Sequence, residues 1–345
     1  MQEVIYKLSK DKKRKKALEI EKQLFKYSGL EEKHFKSKDQ FITDNDYIHY
    51  TEIDKNPEKK KDLLVLVHGF GGSNCIFFRM AVHLSDHFKI ITIDLPGMAL
   101  SSRFDDKKAF DCTNSCINFF VEKINDFFES LKLDQFYLAG HSIGSFFSTH
   151  YFDKYHKKVK KLMMLSPAGF NGNTAESLRE IKDKVSKMNW FRRSLINYSA
   201  KKIFEEKKSP FEMLWSPFRG MFLKKYFGAK RYNFSDEEKN MLVEYNKYVL
   251  SLPTSGERCL GYILANGIKS NAPLIHVLDK HKDKCNNIVL FYGERDWMDK
   301  DDTLIALQQR DIEIEIVYIT KADHQIIMQN AEELSKEVVY NCIGC

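Results

Sequence analysis

The chain has 345 residues, of which 43% are hydrophobic and 30% charged, with a formal net charge of +7. That is the composition of an ordinary globular protein, long enough for one large domain plus an insertion, and nothing in it suggests disorder. The longest apolar runs, such as Leu63–Val67 and Ile288–Tyr292, have strand length and fall far short of the roughly 18 residues that cross a bilayer, so a soluble or peripheral protein is expected.

The first residues lack an apolar stretch and mix acid with base (Glu3, Asp11, Glu19, Glu21), which is neither a secretory signal nor an Arg-rich transit peptide. Seven scattered cysteines, an odd number, argue for reduced thiols and a cytosolic setting. The run Lys10, Lys12, Lys13, Arg14, Lys15 and Lys16 concentrates positive charge. It reads as a solvated helix face or as an attraction for anionic head groups, worth about 1 kcal/mol per basic residue. No nucleic-acid-binding motif accompanies it.

The spacing predicts a helix over residues 12–27, then a hairpin in which Phe41-Ile42-Thr43 and Tyr47–Ile53 flank Asp44-Asn45-Asp46. After the polar Lys55–Lys61 linker, Leu63–Val67 is a continuous apolar run, as a parallel strand covered on both faces requires. It empties into His68-Gly69-Phe70-Gly71-Gly72-Ser73, a glycine-rich loop whose Phe70 N–H is a candidate oxyanion donor. Ile90–Ile93 is a further strand, and Cys116, Phe119, Phe120, Ile124, Phe127, Phe128 and Leu131 recur at helical spacing as core.

Phe136-Tyr137-Leu138-Ala139-Gly140-His141-Ser142-Ile143-Gly144 reads as a buried strand, a sharp turn and a helix start, the context of a G-x-S-x-G nucleophile elbow. Ser142 is the candidate nucleophile. The Ile143 N–H, at the start of the following helix, is the other candidate oxyanion donor. Val159–Leu165 continues the alternation of strand and helix that marks a doubly wound α/β sheet, mostly parallel.

Over residues 171–270 the pattern turns helical, which reads as an inserted cap between the two core segments 41–170 and 271–345, with 1–40 as a basic helical extension. Ser235 and Glu238 form a capping box that opens one cap helix, with Met241, Leu242, Tyr245 and Val249 on its inner face. Trp190, Phe191, Phe211, Met213, Leu214, Trp215, Phe218, Met221 and Phe222 make the cap rich in aromatics and Met. Cap core explains most of them; Trp215, Phe218, Met221 and Phe222 are also candidates for receiving an acyl chain.

Strands resume at Ile288–Tyr292 and Ile312–Ile319, the first followed by Asp296 and Asp299, the second by His324, and a helix carrying Ala331, Leu334, Val338 and Cys342 closes the chain. A serine hydroxyl needs a neutral imidazole to take its proton, and that imidazole needs a carboxylate to fix its tautomer. Ser142, Asp296 and His324 supply these groups in Ser…Asp…His order, with Asp299 as the alternative acid. His141 reads as structural. No cluster of side chains implies a metal or an organic cofactor.

Through His68-Gly69-Phe70-Gly71-Gly72, Gly140–Gly144 and His324 the chain resembles the α/β-hydrolase superfamily over nearly its whole length. Ser166-Pro167-Ala168-Gly169-Phe170 and Tyr292-Gly293-Glu294-Arg295-Asp296-Trp297-Met298-Asp299 resemble more narrowly its lipid-acting branch. That branch holds N-acylphosphatidylethanolamine lipases and lysophospholipases, cardiolipin deacylases and a lipase coactivator without the serine. The resemblance implies hydrolysis of phospholipid or lysophospholipid esters and peripheral contact with anionic membranes, lipid droplets or mitochondria.

Two positions depart from the branch: Gln329 replaces the Asp of its His-x4-Asp pattern, linked to lysophosphatidate acyltransfer, and Ala168 replaces a common Trp. Alternatives are a general carboxylesterase or peptidase, a lysophosphatidate acyltransferase, or a non-catalytic lipid-binding adaptor. The ending Cys342-Ile343-Gly344-Cys345 is a poor prenylation box because Gly344 occupies an aliphatic position.

Overall fold

A computed structural model describes residues 2–172, 179, 183, 185–213, 216–265, 269–298 and 300–344, with the side chains of 2–10, 216 and 217 not described. Eight strands form one sheet: β1 (Phe35–Phe41), β2 (Tyr47–Ile53), β3 (Asp62–Val67), β4 (Phe88–Ile93), β5 (Phe136–His141), β6 (Val159–Leu165), β7 (Ile288–Gly293) and β8 (Glu315–Ile319). Their spatial order is β1-β2-β4-β3-β5-β6-β7-β8. β1 and β2 pair antiparallel, as do β2 and β4, and every other pair is parallel.

The period-2 alternation of strand side chains divides the core in two. Leu64, Leu66, Ala139, Met163, Leu165 and Phe291 face a layer built from the N-terminal helix α1 (Gln2–Tyr27), the helix Phe78–Leu84 and the C-terminal helix Ala331–Ile343. Val65, Val67, Leu138, Leu162, Met164 and Leu290 face the helices Thr113–Ser130, Ile143–Tyr155 and Leu274–Lys280. Strand order reverses at β3, whose neighbours are β4 and β5. A crevice opens beyond the carboxyl ends of parallel strands at such a switch point. The glycine-rich loop after β3 and the elbow after β5 both lie there.

Several boundaries differ from expectation: α1 already begins at Gln2, and β8 begins only at Glu315 rather than Ile312. β1 starts at Phe35, ahead of the expected Phe41-Ile42-Thr43, and pairs along its length with β2. Hydrophobic pattern is blind to an edge strand of this composition, Lys36-Ser37-Lys38-Asp39-Gln40, whose backbone rather than its side chains makes the sheet. Residues 1–40 are also no appended extension. Ala17, Ile20, Leu24 and Phe25 of α1 are buried in the core.

Between β6 and β7 the chain forms the helices Trp190–Ala200, Pro210–Met213, Ser216–Phe227, Asp236–Val249 and Leu260–Ile263, and an isolated bridge between Gly172 and Ser270 joins the two ends of this segment. The capping box is formed: Ser235 Oγ accepts the Glu238 N–H at 3.1 Å, and the Glu238 carboxylate accepts the Ser235 N–H at 2.8 Å. Arg79 grips the same carboxylate through Nε and Nη2, both at 2.8 Å, and so ties the cap to the helix Phe78–Leu84. Cys342 is not presented freely, its Sγ lying 3.6 Å from Met163 Sδ. Among the described residues no helix is long and apolar enough to cross a membrane.

Candidate active site

Ser142 sits between β5 and the helix Ile143–Tyr155 with φ 54° and ψ −116°, a conformation L-residues rarely adopt. Close packing enforces it. A Cβ on Gly144 would lie 2.4 Å from the carbonyl oxygens of both Val67 and His68, so only glycine lets the elbow helix approach the end of β3. The Ser142 N–H donates to Leu165 O at 2.9 Å, anchoring the turn to β6.

His324 Nε2 lies 3.0 Å from Ser142 Oγ, and both residues are buried. On the far side, Nδ1 is 3.5 Å from Asp296 Oδ1, a pairing distance longer than a formed hydrogen bond. Such contacts are often long in a free site and tighten in a complex. Burial pushes the Asp296 carboxyl up, but the His324 ring, the Met298 N–H at 2.9 Å and the Ser166 hydroxyl outweigh it and hold the group below the usual carboxylate range. Trp297, half exposed, covers the imidazole at 4.9 Å between ring centroids. Asp299, the alternative acid, lies outside the described residues.

His141 is aimed at the histidine rather than the serine. Its Nε2–H donates to the His324 carbonyl at 2.8 Å, and burial first, then the neighbouring His324, lowers it to about 3, so it stays neutral. It therefore fixes the backbone of His324.

The loop after β3 stands over Ser142: a Cβ on Gly69 would come within 2.9 Å of Ser142 Cβ. Three residues, His68, Phe70 and Asn74, hold that loop. His68 Nδ1–H donates to Gly69 O at 2.7 Å while its Nε2 accepts the Leu95 N–H at 2.9 Å, and burial lowers this imidazole to about 4. The Phe70 ring stacks on Phe211 of the cap at 4.9 Å and 1°. The Asn74 N–H donates to buried Asp94 at 2.6 Å, and its side-chain amide donates to Glu21 at 3.2 Å.

Glu21 is the unexpected member. It is fully buried on α1, and its carboxylate meets His49 Nε2 at 3.2 Å, while His49 Nδ1 meets Asp39 at 2.7 Å and Asp39 meets Arg14 at 2.6 Å. Burial opposes charge on Glu21, Asp39 and His49, yet the pairing prevails: Glu21 and Asp39 are lowered and His49 is raised to about 10. Asp94, mainly through burial, is raised to about 7. The sequence offered one signal, an acid in the apolar stripe of α1, four residues after Ala17 and three before Leu24.

A cavity of 560 Å³ opens over Ser142 and His324. Phe211, Met213, Phe222, Leu223, Tyr226 and Phe227 form much of its cap side, and among the described residues none in its lining is Lys, Arg, Asp or Glu. Phe222 was expected there. Phe218 and Met221 are not in the lining and are 50% and 63% exposed, because the inward stripe of their helix runs through Phe222–Tyr226 and Leu223–Phe227 at i, i+4. Trp215 lies outside the described residues.

A protein described as 1-acylglycerol-3-phosphate O-acyltransferase from Arabidopsis thaliana is 26% identical over 310 residues, covering 87% of this chain and 71% of its own. The (Lyso)-N-acylphosphatidylethanolamine lipase of Mus musculus is 36% identical over 120 residues, which is 33% of each chain. Among solved structures, carboxylesterase CesB from Bacillus subtilis superposes with a TM-score of 0.59 at 13% identity, covering 97% of this chain and 99% of that one. A membrane phospholipase A described as a bacterial virulence factor gives 0.58 at 15%, covering 99% and 94%. The family model described as alpha/beta hydrolase fold matches residues 62–331, and with the sheet and elbow above it establishes that this chain belongs to the α/β-hydrolase family and resembles its lipid-acting members.

Proposed function

We propose that this protein is a serine hydrolase that cleaves acyl esters of phospholipids or lysophospholipids through an acyl-enzyme on Ser142. The observation that carries the reading is the 3.0 Å contact of His324 Nε2 with Ser142 Oγ at the base of an apolar, uncharged cavity. Neutral His324 takes the hydroxyl proton as Oγ attacks the ester carbonyl, and Asp296 stabilises the imidazolium. The developing oxyanion is met by the Phe70 and Ile143 amides. His324 then protonates the departing alcohol, and a water activated by the same imidazole releases the fatty acid. A cavity without charged walls suits the acyl chain, leaving a phosphate head group outside.

Acyl transfer is the second reading, favoured by the likeness to the Arabidopsis acyltransferase. It uses the same acyl-enzyme with a lysolipid hydroxyl replacing water. In this chain Gln329 accepts the Asp323 N–H at 2.7 Å and so braces the loop before His324, a neutral role where the His-x4-Asp pattern has an acid.

The test is labelling of purified protein with a fluorophosphonate probe, together with turnover of lysophospholipid with and without a lysophosphatidate acceptor. Wild type should label and release fatty acid, and Ser142→Ala should do neither. Unchanged turnover by Ser142→Ala overturns the mechanism, while acyl transfer exceeding hydrolysis favours the second reading.

A further inference from the structure

A helix in a soluble protein normally gains its stability by burying an apolar stripe. The cap helix Trp190–Ala200 does not. Every residue from Trp190 to Tyr198 is exposed, and among them Trp190 is 74%, Phe191 68%, Leu195 56% and Tyr198 55% exposed. Phe191, Leu195 and Tyr198 fall at i, i+4 and i+7, so they line one side of the helix.

That side leads to the active site, for Leu195 and Tyr198 belong to the lining of the cavity that holds Ser142. Phe222, 45% exposed, belongs to it too, so outer apolar surface and cavity wall are continuous. Charge around the helix is one-sided. From Val185 to Phe204 the chain carries Lys187, Arg192, Arg193, Lys201 and Lys202 and no Asp or Glu. Lys187 is engaged with Asp183 at 2.6 Å and Lys202 with Glu206 at 2.7 Å, whereas neither Arg192 nor Arg193 has an acidic partner among the described residues.

Aromatic and aliphatic side chains with arginines interspersed on an exposed helix are the composition of an element that lies in the head-group region of a bilayer. We propose that the helix Trp190–Ala200 is the face on which this protein docks to an anionic phospholipid bilayer, with the mouth of the Ser142 cavity turned toward the lipid. The inference rests on reading the cavity as an acyl-chain site. It also moves the contact away from the N-terminal lysine run, where Arg14 is already paired with Asp39 and Lys16 with Glu19. Docking here would let an acyl chain pass from bilayer to cavity without crossing water.

The experiment is co-sedimentation of the Ser142→Ala protein with phosphatidylcholine vesicles, with and without phosphatidylglycerol, so that binding is read apart from catalysis. Trp190→Ser with Phe191→Ser should weaken partitioning at least about tenfold on both vesicle types. Arg192→Glu with Arg193→Glu should weaken it about tenfold or more on anionic vesicles only, with the difference shrinking at high salt. In the Ser142 background, both pairs should leave turnover of a soluble short-chain ester unchanged, which shows that they fold.

Equal co-sedimentation of the Trp190/Phe191 variant and its parent overturns the proposal. So does a result in which the patch instead holds two copies together, seen as a dimer that these substitutions dissolve. Vesicle binding without any esterase activity in the Ser142 protein would leave the docking face standing and sink the proposed function. Esterase activity without vesicle binding would do the reverse.

Discussion

The side-chain amide of Asn74 donates to the Glu21 carboxylate at 3.2 Å, joining the N-terminal helix to the turn that follows the glycine-rich loop after β3. The Asn74 backbone N–H meets Asp94 at 2.6 Å, so one residue ties the loop to both buried acids. Asn74→Ala should therefore lower kcat on a short-chain ester about tenfold with little change in KM, since small displacements of oxyanion donors are expensive. Glu21→Gln breaks a buried pair with His49 and should cost about 3–5 kcal/mol of stability. Steady-state kinetics and chemical denaturation read the two effects. Wild-type kcat in Asn74→Ala would show that the loop is held by other contacts.

Deleting residues 1–20 removes Arg14, Ala17 and Ile20, of which Ala17 is fully buried and Ile20 is 8% exposed. From sequence, such a truncation would affect only the basic face; from the packing, it should yield aggregated or thermally labile protein. Deleting residues 1–11, which end before these contacts, should leave the melting temperature close to wild type. Differential scanning fluorimetry of the pair distinguishes them.

Stability should also depend on pH through the Glu21–His49 pair. His49 is raised to about 10 from an ordinary 6.5, so its contribution is complete below 6.5 and is lost as pH climbs toward 10. Glu21 is lowered from 4.5, so its contribution is complete above 4.5 and is lost in acid. The melting temperature should hold a plateau between these limits and decline on the alkaline side. In Glu21→Gln with His49→Gln the alkaline decline should flatten, and an unchanged slope would assign it elsewhere.

The acid of the triad can be assigned by two asparagine substitutions. Asp296→Asn should reduce kcat by up to about four orders of magnitude, because the amide favours the wrong imidazole tautomer. Asp299→Asn should reduce it far less. The opposite ranking would make Asp299 the acid.

Cavity depth should set chain-length preference. Leu223 is buried in the lining, and Leu223→Trp puts bulk where an acyl chain would extend. Turnover of long-chain lysophospholipid should fall about tenfold relative to a short-chain ester, as the loss of several buried methylenes implies. Parallel losses on both substrates would mean that the chain lies elsewhere.

Those features that rest on local chemistry were readable in the sequence. The elbow around Ser142, the glycine-rich loop after β3 and the Ser235–Glu238 capping box each need particular residues at fixed short spacing, because tight turns and helix ends are decided by steric fit and hydrogen bonds within a few residues. Strands β3, β4, β5, β6 and β7 announced themselves because strands covered on both faces must be continuously apolar. Such signals cannot carry relationships between distant segments. That His141 braces His324, that Phe211 stacks on Phe70, and that an acid on α1 reaches the turn behind the loop after β3 follow from which elements the sheet order brings together. The edge strand β1 was hidden for a related reason, since its polar side chains serve the Glu21–His49–Asp39 network while its backbone makes the sheet. Composition made the cap aromatic; only tertiary packing decided that Phe222 and Leu223 turn toward the cavity while Trp190 and Phe191 face out. Burial is a property of neighbours, and neighbours are assigned by the fold.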